Sequence, residues 1–309
     1  MAHKFDKYLV VGISSRALFD LDIENKIFED KGLKAYSDYQ IEHEKEILNP
    51  GAGFSLVKAL LKLNEIVPSQ RKTEIIIMSR NNADTSLRIF NSIEHYGLDI
   101  SRAVLAGGEH IAKYLSAFKT DLFLSAYEDD VQEAIDANFA AGLIYTNRIP
   151  HVDLNDSIEQ IRIAFDGDAV LFSDASEKIY KEKGLDAFLA HERKNARKPL
   201  PEGPFAKLLK TLSYIQKECS EQAPPIRTAL VTARNAPAHE RVILTLREWN
   251  VRIDEAFFLG GMEKKEVLKA FGAHIFFDDQ LINIDPSLDI TPSARVPYRR
   301  KKDIKESDD

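Results

Sequence analysis

The stretch Ile161–Asp174, IRIAFDGDAVLFSD, decides how this chain is read. Five residues with one charge lead into Asp166-Gly167-Asp168, and a second apolar run follows at once. Two carboxylates one residue apart at the end of a buried strand are costly unless they do something, because burial disfavours charge. A related stretch near the start, YLVVGISSRALFDLDIE from Tyr8 to Glu24, carries Ser14 and Arg16 where the aspartates would stand.

Working outward, short apolar runs alternate with helical patterns along the whole chain. KYLVVGI, EIIIMS, RAVLAGG, DLFLSA, IRIAF, RTALVT, EAFFLGG and HIFFDD have strand length. FSLVKALLKLNEI, TSLRIFNSIEHYG, FAKLLKTLSYIQKE and ERVILTLREWN have the spacing of half-buried helices. That alternation predicts an α/β chain built on parallel sheets, whose sites lie beyond the carboxyl ends of the strands. From about residue 286 the chain is polar, proline-interrupted and charge-dense, and it is expected to be a mobile tail over 286–309.

The alternation occurs twice. KIFEDKGLKAY starts at Lys26 and KIYKEKGLDAF at Lys178, 152 residues later. IIIMSRNNA and ALVTARNAP place Arg80 against Arg234 at 154, RAVLAGG and EAFFLGG place Gly107 against Gly260 at 153, and DLFLSA and HIFFDD keep 153. Four matched segments in one order at nearly one spacing point to an internal duplication, with a first copy over 1–150 and a second over 151–285. In this register Asp166 faces Ser14, Asp168 faces Arg16, Thr232 faces Met78, Lys264 faces Ile111, and Asp278 and Asp279 face Ser125 and Ala126. The strands and glycines are kept in both copies, whereas the reactive side chains stand in the second alone.

With 309 residues and 44% hydrophobic content, the chain can bury two sizeable cores. Its 42 basic and 49 acidic residues are interspersed and leave a net charge of −7, which predicts neither a nucleic-acid polymer nor a membrane as partner. The single Cys219 precludes an intrachain disulfide and fits a reducing cytoplasm, as does an N-terminal stretch without the apolar core of a signal peptide. No apolar run reaches the ~20 residues of a membrane span.

Taken singly, each motif has an ordinary explanation. Asp-Gly-Asp is most often a turn, Thr232 a helix cap, Lys264 a surface charge and Asp278-Asp279 a cap. A calcium loop starting at Asp166 fails because Val170 and Leu171 stand where an oxygen ligand and a glycine are required. His95, His110, His151, His191, His239 and His274 lack metal-ligand spacing, and the glycine pairs lack the pattern of a phosphate loop. The basic run HERKNARKPLPEG reads equally as a solvated connection and as a nucleotide contact.

In order, Asp-x-Asp after a strand, a threonine ending a strand, a lysine after FFLGG and an acidic pair ending HIFF resemble the four motifs of the haloacid dehalogenase-like (HAD) phosphohydrolases. VVGISSRALFD, AFDGDAVLFSD, LVTAR and HIFFDDQ narrow this to a resemblance to the cytosolic 5′-nucleotidase type I family, over roughly residues 8 to 284. The resemblance implies two Rossmann-like domains, the first without catalytic residues and the second with a small helical cap over about 174–225. It implies Mg²⁺ as cofactor, held by Asp166, Asp278 and the main-chain carbonyl of Asp168, with the role of Asp279 open. It implies Asp166 as nucleophile and Asp168 as general acid and base. Thr232 would then be a phosphate ligand, and Lys264 rather than the adjacent Lys265 would neutralise charge. The implied substrate is a nucleoside 5′-monophosphate, purine and AMP-like. A nucleotide effector and assembly with further copies of the chain are both compatible with the resemblance. A nucleoside phosphotransferase, another small-molecule HAD phosphatase, and a non-catalytic nucleotide sensor are the alternatives. The first copy is open to three roles: scaffold, effector site, or a wall of the catalytic cleft.

Overall fold

The computed structural model describes residues 8–66, 71–148, 159–219 and 224–300. The expected domain boundary near 150, His151 and the last residues of the expected tail lie outside these segments.

Ten strands among the described residues form one sheet. They are β1 (Leu9–Ile13), β2 (Thr73–Ser79), β3 (Arg102–Leu105), β4 (Leu122–Ser125), β5 (Ala140–Ile144), β6 (Ile161–Phe165), β7 (Ile226–Thr232), β8 (Glu255–Phe258), β9 (Ile275–Asp278) and β10 (Ser293–Arg295). Their order is β3-β2-β1-β4-β5-β10-β9-β6-β7-β8. Every adjacent pair is parallel except β5 and β10 at the middle, which run antiparallel. Read outward from that joint, both five-strand blocks have the same sequence of strands. The order of each block, third-second-first-fourth-fifth, is that of a Rossmann-like sheet and is consistent with the HAD fold. The chain is therefore of the α/β class, as its alternation predicts.

β1, β2, β4, β9 and nearly all of β6 and β7 are buried, because helices cover both faces of a parallel sheet. Phe54–Ile66, Leu87–His95, Ala206–Glu218 and His239–Glu248 are helices where the apolar spacing places them. Two longer helical segments, Asp22–Glu42 and Ala175–Lys194, have almost no apolar face and escape such a reading. Each is broken by a glycine in the left-handed region, Gly32 at φ 79° and Gly184 at φ 78°. Among the described residues no helix is long and apolar enough to cross a membrane.

As far as residue 300, the segment expected to be a tail is built into the fold instead. Ser287 is buried, β10 pairs with both β9 and β5, and Ala294 and Val296 are fully buried. A three-residue strand in a polar context has no pattern of its own to detect. What holds it is the fit at the joint: a Cβ on Gly142 would lie 2.8 Å from the Cβ of Ala294, so small residues on both strands permit the approach.

Main-chain hydrogen bonds give the register between the blocks directly. The amide of Ser14 donates to Leu124 O and that of Asp166 to Phe277 O, both at 2.8 Å. Leu9 bonds Lys72 as Ile161 bonds Pro225. At the second strand, Ser79 O accepts from Ala106 as Thr232 O accepts from Leu259, and Ser79 Oγ accepts from Asn81 N as Thr232 Oγ1 accepts from Arg234 N. Thr232 therefore corresponds to Ser79, not to Met78, and Arg234 to Asn81, not to Arg80. The matching SRN and ARN letters are offset by one residue from the strand register, which the hydrogen-bond ladder sets.

Candidate active site

The strand order of the second block reverses between β6 and β9, the point at which such sheets place their sites. β6 ends at Phe165 and hands Asp166 to that point, while β9 ends on Asp278 with Asp279 next. The Asp166, Asp278 and Asp279 side chains are buried and each offers an oxygen within 4.8 Å of the others. Lys264 caps the trio. Its Nζ donates to Asp166 Oδ1 and to Asp278 Oδ2, each at 2.6 Å, and the lysine is only 4% exposed. Lys265 is turned outward onto Asp289 at 3.2 Å, so of the two lysines Lys264 is the one at the cluster.

Each carboxylate is set by its surroundings. Asp278 Oδ1 accepts from the Gln280 amide at 2.8 Å and from Asn283 Nδ2 at 3.1 Å, the same loop that Ser125 Oγ makes with the Tyr127 amide in the first block. Asp279 bonds the Tyr298 hydroxyl, which also reaches Glu177 Oε2 at 2.9 Å. Asp279 Oδ1 is buried without a hydrogen-bond partner among the described residues. Burial pushes the Asp166 carboxyl well up, against the pull of Lys264 and with the charges of Asp278 and Asp279 adding to the rise. Burial likewise pushes Asp279 up to about 7, opposed by its bond from Tyr298 and assisted by Asp278 and Glu177. Burial alone would lower Lys264, but Asp166 and Asp278 outweigh it and hold its ammonium charged.

The cluster fits a hard divalent cation. One ammonium against three carboxylates leaves excess negative charge in a buried space, the ligand atoms are all oxygens, and one buried oxygen has no partner. The trio differs from the expected ligand set in one respect. Asp279 contributes its side chain, while the Asp168 carboxylate lies elsewhere; the expectation for Asp168 concerned its main-chain carbonyl.

Asp168 is held by Arg234, which donates from Nε to Oδ2 at 2.7 Å and from Nη2 to Oδ1 at 2.6 Å. The third edge of that guanidinium donates from Nη1 to Glu192 Oε2 at 2.7 Å, and Phe188 lies against its face at 5.3 Å. Glu192, 1% exposed, also accepts from Arg241 at 2.9 Å and from Ser176 Oγ at 2.9 Å. Its two guanidinium partners overcome burial and hold the acid below the ordinary glutamate range. Glu192 lies in the basic run that reads from sequence as a loop, yet it is the buried centre of this network.

The turn between Asp166 and Phe172 is wider than its counterpart. Phe172 donates to Gly167 O, five residues back, whereas Phe19 donates to Ser15 O, four back. The longer turn puts Ala169 at φ 61°, an uncommon conformation for a residue with a Cβ. It also brings Gly167 onto Thr232: a Cβ there would lie 3.3 Å from Thr232 Oγ1, so a larger residue would crowd the hydroxyl.

Arg234, Glu192, Glu177 and Tyr298 are site residues that motif reading misses. Arg234 had a signal, as part of a repeated triplet, whereas Tyr298 had none, being in the expected tail. Tyr298 O also accepts from Gln132 Nε2 at 3.0 Å, so this residue ties the helix Glu128–Asp136 of the first block to Asp279. Removing its hydroxyl strips Asp279 of an orienting bond. Outer partners of metal ligands are worth about 10-fold or more in affinity. With a divalent cation held by this cluster, Tyr298→Phe is therefore expected to raise the cation concentration for half-saturation roughly 10-fold. A metal titration of both proteins checks it; an unchanged midpoint removes Tyr298 from the metal site.

No solved structure matches this chain. It is 39% identical over 303 residues to human cytosolic 5′-nucleotidase 1B, an alignment that covers 95% of this chain and 49% of the relative. The chain thus spans about half the length of the curated relative it matches. A 5′-nucleotidase family model matches residues 1–303. With the whole described fold inside that match, the chain belongs to the 5′-nucleotidase family.

Proposed function

We propose that this chain is a Mg²⁺-dependent 5′-nucleotidase that releases phosphate from a nucleoside 5′-monophosphate through an aspartyl-phosphate on Asp166. The observation that carries the reading is the convergence of Asp166, Asp278, Asp279 and Lys264 at the strand-order reversal. Family membership and the resemblance to the HAD phosphohydrolases support it. The purine, AMP-like preference and a cytoplasmic setting rest on the type I resemblance.

Asp166, Asp278 and Asp279 would hold the cation, with the Asp168 carbonyl as a further ligand. When bound, Mg²⁺ supplies positive charge that lets an anionic nucleophile approach a dianionic phosphate. An Asp166 carboxylate oxygen attacks phosphorus, and the bond from phosphorus to the nucleoside 5′-oxygen breaks. Asp168, protonated once one of its oxygens turns from Arg234 toward the leaving group, gives that oxygen its proton, then takes a proton from the water that attacks the phospho-aspartate, and the Asp166–phosphorus bond breaks to free inorganic phosphate. Thr232 donates its hydroxyl to a phosphate oxygen. Lys264 loosens from the carboxylates onto the transferring group, where its charge offsets the negative charge that develops. Arg234 holds Asp168 at the mouth of this reaction, and Glu192 with Arg241 fixes Arg234.

The two blocks are read as an internal duplication, the first having lost the catalytic set, with the helices Ala175–Lys194 and Ala206–Glu218 as a cap beside the second crevice. Phosphate release from AMP, IMP, CMP and UMP, with Mg²⁺ and with EDTA, tests the activity. Release is expected only with the divalent ion and fastest with a purine. Metal-independent turnover, or none with any nucleotide, would overturn the reading, and consumption of AMP with transfer to an added nucleoside in place of free phosphate would favour the phosphotransferase.

A further inference from the structure

The first block keeps a crevice at the place that corresponds to the catalytic one, and it is not filled in. A cavity of about 390 Å³ opens beyond β1, β2, β3 and β4, within the size range of small-molecule sites. A crevice with no remaining role is expected to be closed by larger side chains, because interiors pack densely. Here the opposite has happened.

Its walls have a defined chemistry. Phe28, Tyr36 and Tyr127 are aromatic surfaces, and Arg16 and Arg80 bring two guanidinium groups. Arg16 donates from Nε and Nη2 to Asp22 Oδ1 at 3.2 and 2.9 Å, and its guanidinium lies 5.7 Å over the Tyr127 ring. Arg80 likewise uses Nε and Nη2, on Asp130 at 2.8 and 2.6 Å, with a longer Nη2 contact to His110. Arg80 Nη1 has no bond among the described residues, whereas Arg234 engages every edge. Asn81, the counterpart of Arg234, accepts from the Tyr36 hydroxyl at 3.1 Å, but its Nδ2 is buried without a partner among the described residues. A buried donor left unsatisfied is costly and marks a place where an acceptor belongs.

The same crevice has no means of turnover. Ser14 Oγ, in place of Asp166, accepts from the Ala17 and Ala126 amides at 3.3 Å. Ser125 and Ala126 replace the other two carboxylates, and buried Ile111 replaces Lys264. Glu24, which also lines the space, is committed to Arg88 at 2.5 Å. Among the described residues no carboxylate trio of the kind in the second block is found here.

We propose that this cavity is a second binding site, for a nucleoside 5′-phosphate held without hydrolysis. The aromatic walls take the base, Arg16 and Arg80 take the phosphate, and Asn81 Nδ2 donates to a ligand oxygen or ring nitrogen. The ligand class is the one proposed for the catalytic crevice, but the site itself does not depend on turnover.

Hydrogen exchange on the full chain in EDTA, titrated with AMP, adenosine and inorganic phosphate, tests it. AMP is expected to slow amides at 80–85 and 105–109, with adenosine and phosphate each far weaker. Losing one charge-assisted phosphate contact is expected to weaken that response at least about 10-fold in Arg16→Ala. Phe28→Ser, a change at a half-exposed wall position, should weaken it as well. Exchange at 166–171 and 278–280 should respond to AMP as in wild type in both variants. The proposal is overturned if millimolar AMP leaves 80–85 and 105–109 unchanged, if phosphate alone reproduces the effect of AMP, or if neither variant weakens it. Absence of phosphate release in the activity assay would count against the nucleotidase reading and leave this exchange result standing.

Discussion

Asp166→Asn is expected to abolish turnover while leaving the fold in place. The substitution keeps the side chain's shape and removes its charge. Three consequences add in one direction. The amide is no nucleophile toward a phosphate ester, so the aspartyl-phosphate cannot form. One of the three oxygens of the candidate cation site loses its charge. Lys264, bonded to Asp166 Oδ1 and to Asp278 Oδ2, each at 2.6 Å, loses one of its two countercharges. Loss of a nucleophile costs on the order of 10⁴-fold or more in kcat where it has been separated from other effects. Folding should survive, because the asparagine keeps the side chain's shape and removes one of three clustered carboxylate charges. Circular dichroism and thermal melting should therefore match wild type while phosphate release from AMP falls by roughly 10³-fold or more. If purified Asp166→Asn keeps a tenth of wild-type kcat, the nucleophile lies elsewhere.

Asp168→Asn is expected to be nearly as damaging, and the choice of substrate reveals why. A nucleoside 5′-oxygen leaves as a strongly basic alkoxide unless it is protonated, so loss of the general acid should cost about 10²–10⁴-fold with AMP. With p-nitrophenyl phosphate the leaving oxygen needs little protonation, and single-turnover phosphorylation of Asp166 should fall far less. Position matters as well as charge here. Asp168 is clasped on both oxygens by Arg234, so the asparagine also loosens an arginine that Glu192 and Phe188 hold from the other sides. A loss acting only through that network would slow both substrates alike. Equal losses in single-turnover phosphorylation would thus make Asp168 a positioning residue for Arg234 and withdraw its role as acid.

Much of this molecule is legible in the linear chain because its signals are local. Alternation of short apolar runs with amphipathic stretches reports a parallel sheet between helices, since burial on both faces demands unbroken apolar strands. All eight strands read from such runs exist. Asp166, Thr232, Lys264 and Asp278 each sit at a strand end or just beyond, so strand positions alone carry them toward one edge of the sheet. The loss of those residue types in the first block is likewise a matter of letters at equivalent places.

What only the tertiary structure decided depends on partners distant in the chain. β10 has no apolar pattern and exists because β9 and β5 offer it unpaired edges, with Gly142 and Ala294 small enough to meet. That pairing turns an expected tail into the centre of the sheet and brings Tyr298 to Asp279. The choice of Lys264 over Lys265 is a matter of which side of a helix start faces the carboxylates, and adjacent residues cannot both do so. The register of Thr232 against Ser79 was set by the hydrogen-bond ladder, which repeated letters one residue out of step disguised. Glu192 is buried only because Arg234 and Arg241, 42 and 49 residues farther along, converge on it. A buried charge is stable when its countercharges surround it, and which countercharges arrive is a property of the folded chain rather than of its neighbours in sequence.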